Sequence, residues 1–190
     1  MKPYAHLDIP HELITHRLQQ YVTSSGLIKN ASFFNKVDAE TTHKAIPELQ
    51  ELFAQYGLND LGAMCIIKVR GHMAITPHRD WPPFEEQQEP KKAVAVNWPI
   101  FNCNNTFTAF YEEKTNVENQ AKGKKLTNGL GYINYNIDQL KETHRIKIEV
   151  PTAFRFDIIH AVINDTDHHR WTASFRFHTN HWELFKNENT

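Results

Sequence analysis

Apolar residues in the first third of the chain recur with the spacing of an amphipathic helix. In residues 11–22 they stand three, four and seven positions apart, and residues 41–56 repeat this pattern up to Gly57. Such spacing places the apolar side chains on one face of a helix, and glycine is common directly after a helix end. We expect two helices, each packing one face against another part of the protein.

From residue 61 onwards the pattern changes to short runs rich in Ile, Val, Phe and Tyr, separated by turn residues. Runs of this length without intervening helical patterns are typical of antiparallel sandwiches, jelly rolls and barrels. The predicted strands are residues 61–69, 73–78, 92–100, 106–111, 132–135, 144–150, 153–163 and 170–179.

A polar segment interrupts these runs at residues 112–131, which contain several glycines. The segment predicts a long loop. Loops of this length in a small domain are either functional, for example a lid over a site, or ordinary surface loops, and the sequence leaves both interpretations open.

The chain has 190 residues, with 21 Lys and Arg against 22 Asp and Glu and therefore a net charge of −1. This length predicts a single domain over residues 1–190, with a helical part at 1–58 and a β core at 59–180. The near-neutral charge argues against a nucleic-acid partner, for which a basic surplus is expected.

Only two cysteines are present, and they form no CxxC pair, which excludes a disulfide scaffold and a cysteine-built zinc site. No apolar run approaches the roughly 18 residues of a membrane span. The first residues also lack the apolar core of a secretion signal, so we expect a cytosolic protein with no membrane partner. Twelve histidines raise the question of a metal site.

His78 and Asp80 form an HxD pair at the end of a predicted strand. Alternate residues of a strand share a face and lie roughly 6.5–7 Å apart, so both side chains can reach one metal ion. A second histidine from a neighbouring strand would complete the two-histidine, one-carboxylate triad of non-haem Fe(II) oxygenases. A second HxD pair, His6 and Asp8, precedes the first predicted helix and has no strand context.

Two further features lie downstream, where His160 stands in an apolar run and Arg170 follows ten residues later. From Arg170 the sequence alternates strictly, with aromatic or small residues on one face and Arg170, Thr172, Ser174 and Arg176 on the other. A guanidinium buried on such a face requires an anion. A strand of this kind suits a barrel with a polar interior that binds a carboxylate.

The order His78-x-Asp80, His160, Arg170-x-Thr172 resembles the Fe(II)/2-oxoglutarate-dependent dioxygenases, over about residues 61–178. The resemblance implies a mainly β fold: a double-stranded β-helix (a jelly-roll or cupin-like core) with N-terminal α-helices packed on one face. It also implies Fe(II), the co-substrate 2-oxoglutarate, and O₂.

Individual roles follow from the same resemblance. His78, Asp80 and His160 would bind the iron, and Arg170 would bind the 5-carboxylate of 2-oxoglutarate with help from Thr172. Asn97, in the strand after the HxD loop, is a further candidate for a cofactor contact. Candidate substrate contacts, chosen by their proximity in the sequence or by their place on the polar face, are Arg79, Trp81, Trp98 and Arg176.

The activity implied is hydroxylation of a small molecule or a peptide, with 2-oxoglutarate converted to succinate and CO₂. Arg170 and Arg176 also have the Arg-x5-Arg spacing of nucleic-acid demethylases of the alkylation-repair type, against which the net charge counts. Arg176 could instead pair with an internal carboxylate such as Asp157. A non-oxygenase cupin-like protein that binds a metal or a sugar is the alternative of another class.

Overall fold

Two antiparallel β-sheets face each other and form most of this computed structural model. The residues described are 2–29, 34–80, 94–114, 122–125 and 131–189, with the backbone alone for 122–125, 131 and 186–189. The strands are β1 (Tyr4–His6), β2 (Phe34–Asp38), β3 (Leu61–Val69), β4 (Met73–Ala74), β5 (His78–Asp80), β6 (Val94–Phe101), β7 (Thr106–Glu113), β8 (Lys122–Lys125), β9 (Gly131–Asn134), β10 (Leu140–Ile146), β11 (Thr152–Arg155), β12 (His160–Asn164) and β13 (Arg170–Phe177).

The first sheet has the strand order β1-β11-β6-β13-β3-β2, and the second has the order β10-β7-β12-β5-β9-β8, with β4 paired to β12. Every pairing is antiparallel. We call the face that each sheet turns towards the other its inner face. This two-sheet arrangement confirms the expected mainly β, jelly-roll fold class.

The helices cover the outer face of the first sheet. They are α1 (Glu12–Ser24), α2 (Ala39–Ala45) and α3 (Glu48–Gln55), and 3-10 turns lie at Leu27–Lys29, Ile137–Gln139 and Trp182–Asn189. Phe53 of α3 packs edge-on against Phe175 and Phe177 of β13 with ring centroids 5.1 and 5.3 Å apart. The aromatic face of β13 therefore lies in the main core, and its polar face is left for the interior between the sheets.

The single helix expected over 41–56 is two helices, and Pro47 explains the break. Proline lacks the backbone N–H that a continuous helix needs and disfavours a helical conformation in the residue before it. Ile46 accordingly has φ −136° and ψ 76°, and Pro47 is the residue directly before α3.

The other departures from the expected elements are short strands whose partners are distant in sequence. β1 pairs with β11 and β2 with β3, so residues 1–58 contribute two edge strands besides the helices. Inside the predicted loop 112–131, β8 pairs with β9, which corrects that prediction in part. Residues 115–121 and 126–130 lie outside the described residues, so the lid interpretation is not tested.

Most predicted strands are present with shifted ends. Residues 61–69 coincide with β3, whereas 153–163 divide into β11 and β12 around a turn. Among the described residues, no helix has the length and apolar character needed to span a membrane.

Candidate metal centre

His78, Asp80 and His160 meet on the inner face of the second sheet. His78 and Asp80 lie two residues apart on β5, and His160 begins β12 directly opposite His78 in the strand register. One candidate ligand atom from each residue lies within 4.8 Å of the other two. The strand spacing and the register together therefore bring two nitrogens and one oxygen to a single point.

Backbone carbonyls orient both histidines in the same way. Nδ1 of His78 lies 2.8 Å from the carbonyl oxygen of Thr76, and Nδ1 of His160 lies 2.9 Å from that of Ile158. Because a carbonyl oxygen only accepts, Nδ1 must be the protonated nitrogen in each ring. In each ring Nε2 is therefore the nitrogen left to bind a metal, an orientation common for metal-binding histidines.

The carboxylate of Asp80 is held between a histidine and an arginine. Oδ1 lies 3.4 Å from Nε2 of His78, and Oδ2 accepts a hydrogen bond of 2.8 Å from Nη2 of Arg176. The Arg176 guanidinium lies 4.5 Å from the ring centroid of Phe156. Burial would raise the pKa of Asp80, but Arg176 and the histidines outweigh it and hold this pKa well below its usual range. Asp80 is thus an anion.

The two histidines differ in their pKa values. Burial and the neighbouring His78 lower the pKa of His160 to about 4, so His160 is neutral near pH 7. Burial also acts to lower the pKa of His78, but the hydrogen bond and the charge of Asp80 raise it above its ordinary value. A neutral imidazole, a second imidazole and a carboxylate form the donor set typical of a non-haem Fe(II) centre with open positions.

Arg170 lies on the inner face of β13 and is only 2% exposed. Among the described residues no carboxylate lies within ion-pair distance of it, and its Nε atom has no hydrogen-bond partner. Burial lowers the pKa of its guanidinium, and the thiol of Cys103 is its polar neighbour. Because a buried guanidinium is costly without an anion, this position suits a carboxylate ligand. Thr172 is also buried on the same face.

Asn97 also faces the interior. It stands directly opposite Ser174 in the pairing of β6 with β13, and paired residues share a face of the sheet. Its Oδ1 atom, the Ser174 hydroxyl and the Thr108 hydroxyl of β7 are buried and have no hydrogen-bond partner in the part of the chain that the structure describes. The sequence analysis assigned no role to Ser174 or Thr108, although Ser174 lies midway along the polar face of β13.

One of the substrate contacts predicted from proximity in the sequence, Trp98, is corrected. Trp98 lies on the outer face of the first sheet, fully buried under α1, where its Nε1 donates to Oγ1 of Thr15 over 2.9 Å. It therefore cannot contact a substrate at the metal centre. Arg79 stands between the two ligands of β5 in the sequence and therefore lies on the opposite face of the strand, near Glu113 and the ring of Tyr135. Trp81 lies outside the described residues.

Arg79 belongs to a different cavity, of about 380 Å³, that none of the three candidate ligands lines. Arg155 and Asp157 also line this cavity and pair with each other. Asp157 thus pairs with Arg155, whereas the carboxylate partner of Arg176 is Asp80.

The remaining histidines form no second centre with the other described residues. Within the described residues, His78, Asp80 and His160 are the one group of three potential ligands found close together. In the other HxD pair, Nδ1 of His6 lies 3.0 Å from Oγ1 of Thr152.

No protein-family model and no curated protein sequence matches the chain. Solved structures do match its fold. The non-haem monooxygenase ThoJ aligns with a TM-score of 0.53 and 10% identity, over 93% of this chain and 74% of that one. The epimerase SnoN from nogalamycin biosynthesis, solved with Fe³⁺, alpha-ketoglutarate and nogalamycin RO, aligns with a TM-score of 0.53 and 13% identity, over 92% and 78%.

The alpha-ketoglutarate-dependent carbocyclase SnoK, also from nogalamycin biosynthesis, gives a TM-score of 0.51 and 9% identity, over 93% of this chain and 80% of that one. At these identities the comparisons concern the fold. The chain therefore has the jelly-roll fold of non-haem, alpha-ketoglutarate-dependent enzymes, as the order of its motifs implied.

Proposed function

We propose that this protein is an Fe(II)/2-oxoglutarate-dependent oxygenase that hydroxylates a small molecule or a peptide. The observation that carries the proposal is the meeting of His78, Asp80 and His160, each with a ligand atom within 4.8 Å of the others. In the balanced reaction, a substrate C–H bond, 2-oxoglutarate and O₂ give a C–OH group, succinate and CO₂.

His78, Asp80 and His160 would hold the iron. When bound, iron and 2-oxoglutarate together supply the oxygen chemistry, while the protein supplies position and environment. The carbonyls of Thr76 and Ile158 keep both histidines in the ligating orientation, and Arg176 keeps Asp80 anionic. These contacts fix the ligands before the metal binds, which reduces the ordering that binding requires.

Arg170 and Thr172 would hold the distal carboxylate of 2-oxoglutarate. The support for this role is the burial of Arg170 without an acidic partner in the described chain, since two parallel N–H donors match a carboxylate. Asn97 and Ser174 add polar atoms to the same interior, and the polar face of β13 continues from Arg170 to Arg176 beside the metal ligands.

Aromatic side chains from both sheets lie beside the centre. The ring of Phe154 lies 5.3 Å from that of His160, and Phe110 lies 6.5 Å from it. An apolar surrounding of this kind limits water at a metal site and influences its redox potential.

To test the proposal, Fe(II) and 2-oxoglutarate are added to the protein without oxygen. The visible charge-transfer absorption band of the iron–2-oxoglutarate chelate is then measured. The band should form with the wild-type protein and disappear in His160→Ala. His72→Ala, at an exposed histidine paired with Asp167, is the matched control and should retain the band. A wild-type protein that binds Fe(II) without the band would favour a non-oxygenase metal-binding protein, and an unchanged band in His160→Ala would contradict the ligand assignment.

A further inference from the structure

The edge strand beside the metal ligands is strongly basic. β8 has the sequence Lys-Gly-Lys-Lys over Lys122–Lys125. It pairs with β9, and β9 pairs with β5, which carries two of the three candidate ligands. The lysines are thus two strands from the metal centre in space, although more than forty residues separate them from His78 in the sequence.

The strand register places two of these lysines in line with the ligands. His160 stands opposite His78, His78 opposite Asn134, and Asn134 opposite Lys122. These four residues form one row across four strands. Because directly paired residues occupy the same face of a sheet, the position of Lys122 is on the inner face with both histidines.

A second row repeats this arrangement. Asp80 stands opposite Tyr132, and Tyr132 stands opposite Lys124. Neighbouring strands lie about 4.8 Å apart, so the backbone of Lys124 is about 10 Å from that of Asp80. Lys125, opposite Gly131, takes the alternate position on the outer face. The register therefore distinguishes two inner lysines from an adjacent outer one.

The first sheet contributes a lysine to the same side of the interior. Lys36 of β2 stands opposite Cys65, and Cys65 stands opposite Ser174 on the polar face of β13. Lys36 is exposed at the edge of its sheet. Arg176 of β13 reaches Asp80 of β5, and Tyr4 of β1 stacks on Phe110 of β7. The two strand orders therefore run in the same direction, and the β2 edge lies on the same side as the β8 edge.

On the opposite side an aromatic contact joins the two sheets. Tyr4 of the edge strand β1 stacks on Phe110 of the second sheet with centroids 6.0 Å apart. A charged molecule is consequently favoured to approach between the β2 and β8 edges. The charge of Asp80 is already matched by Arg176. Asp38 shares the face of Lys36 on β2 and accepts hydrogen bonds from Thr41. Among the described residues, the three lysines and a bound divalent metal outweigh this one carboxylate, so the entrance is positive.

We infer that the substrate of this site is a small anion, whose carboxylate or phosphate group binds at Lys122, Lys124 and Lys36 while its reacting carbon faces the metal. The inference rests on the proposed function for the role of the metal centre. A nucleic acid is disfavoured because its phosphates would also run along the outer face of the second sheet. That face carries Glu113 at the end of β7, close to Arg79, and the whole chain has a net charge of −1.

The test measures the binding of two probes, methylphosphonate and tricarballylate, by saturation-transfer NMR. The trimethyl ester of tricarballylate is the neutral control. Each probe is titrated into the metal-free protein and into protein loaded with Zn²⁺ and 2-oxoglutarate. The variants are the double variant Lys122→Ala/Lys124→Ala, its charge-conserving counterpart with arginine at both positions, and Lys36→Ala. The matched control is Lys125→Ala, on the outer face of the same strand.

At least one anion should bind the wild type more tightly than the ester, and its dissociation constant should rise at least tenfold in the double alanine variant. The rise should be about threefold in Lys36→Ala and less than twofold in Lys125→Ala or the arginine variant. Preference for tricarballylate identifies a carboxylate site, and preference for methylphosphonate a phosphate site. Three results would overturn the inference. The first is an equal loss of anion affinity in Lys125→Ala and the double alanine variant, and the second is an unchanged anion affinity in the double alanine variant. The third is tighter binding of a single-stranded oligonucleotide that depends on the same lysines.

The two proposals fail separately. The affinity for 2-oxoglutarate, titrated through the iron charge-transfer band, should change less than twofold in the double alanine variant. The wild-type protein could bind the anion when metal-free and yet form no band after Fe(II) and 2-oxoglutarate are added. That result would contradict the proposed function and leave the anion site standing. A normal band with anion binding that is independent of the lysines would contradict the anion site alone.

Discussion

Nη2 of Arg176 donates to Oδ2 of Asp80 over 2.8 Å, while Oδ1 of Asp80 lies 3.4 Å from Nε2 of His78. The two residues are 96 positions apart and belong to different sheets. One carboxylate oxygen is therefore engaged by the arginine, and the other is directed towards the histidines. This contact joins the sheets at the candidate metal centre and orients its single oxygen ligand.

Replacing Arg176 with methionine should weaken divalent-metal binding. Without the guanidinium, the Asp80 carboxylate is free to rotate and loses the positive charge that keeps it anionic, and loss of such an outer contact typically costs tenfold to a hundredfold in metal affinity. Calorimetric titration with Mn²⁺ measures this, and Arg176→Lys should restore part of the affinity. Arg155→Met, which breaks the pair with Asp157, is the control. Unchanged Mn²⁺ affinity in Arg176→Met would contradict the positioning role.

Replacing Arg170 with methionine should separate ligand binding from stability. The affinity for 2-oxoglutarate should fall by about tenfold to a hundredfold, because a charge-assisted hydrogen bond contributes about 1.5–3 kcal/mol. The melting temperature should stay the same or rise, since a buried charge without an acidic partner in the described chain is replaced by an apolar side chain of similar length. Titration of the charge-transfer band and thermal unfolding measure the two effects. A lower melting temperature with unchanged 2-oxoglutarate affinity would identify Arg170 as structural.

The sequence could predict His78 and Asp80 from a local rule, and His160 from the order of the motifs that carry the resemblance. Alternate residues of a strand share a face, so His78 and Asp80 had to be neighbours in space if their segment was extended. The polar face of β13 was equally visible, since Arg170 and Arg176 alternate with aromatic residues that lie in the core. A strand with one polar and one apolar face fixes its own orientation.

The central strand β6 gave no such signal. It is buried on both faces, with Asn97 turned inwards and Trp98 turned towards α1. A strand of this kind is an almost continuous apolar run, so its sequence cannot show which residues face the interior. Proximity to the HxD motif suggested Trp98 as a substrate contact, and the pleat places it on the other side of the sheet.

Contacts between distant segments were also invisible in the sequence. β8 contains three lysines and a glycine and no apolar residue, so it is a strand only because β9 pairs with it. The partner of Arg176 depends on the distance between the two sheets, which no local pattern encodes. The charged edge of the site was missed for the same reason.

Trp98→Phe should reduce stability and leave activity unchanged. The substitution removes the hydrogen bond to Thr15 and part of a ring that is fully buried beside Phe175, and the expected cost is about 1–3 kcal/mol in the free energy of unfolding. Urea denaturation measures this cost. Thr15→Val completes a double-mutant cycle, in which the two losses should be less than additive because both remove the same hydrogen bond. A change in the KM for 2-oxoglutarate without loss of stability would restore Trp98 to the site.

The carboxylate of Asp60 should make the free energy of unfolding decrease at acidic pH. Its Oδ2 accepts hydrogen bonds from the backbone N–H and hydroxyl of Thr179 over 2.7 and 2.6 Å, and its Oδ1 lies 2.5 Å from Nε2 of His181. Burial acts to raise the pKa of Asp60, but these partners outweigh it and lower the pKa below its ordinary value. The stabilisation is therefore fully present above about pH 4, the pKa of an unfolded aspartate, and is lost as the pH falls through the lower folded value.

Asp60→Asn should cost about 1–2 kcal/mol at pH 7 because the hydrogen bonds lose their charged acceptor, and this difference should shrink below pH 4. Urea denaturation from pH 2.5 to pH 7 measures it, with the exposed Asp8→Asn as the control. A difference that does not depend on pH would show that the carboxylate charge has no part in holding the segment after β13.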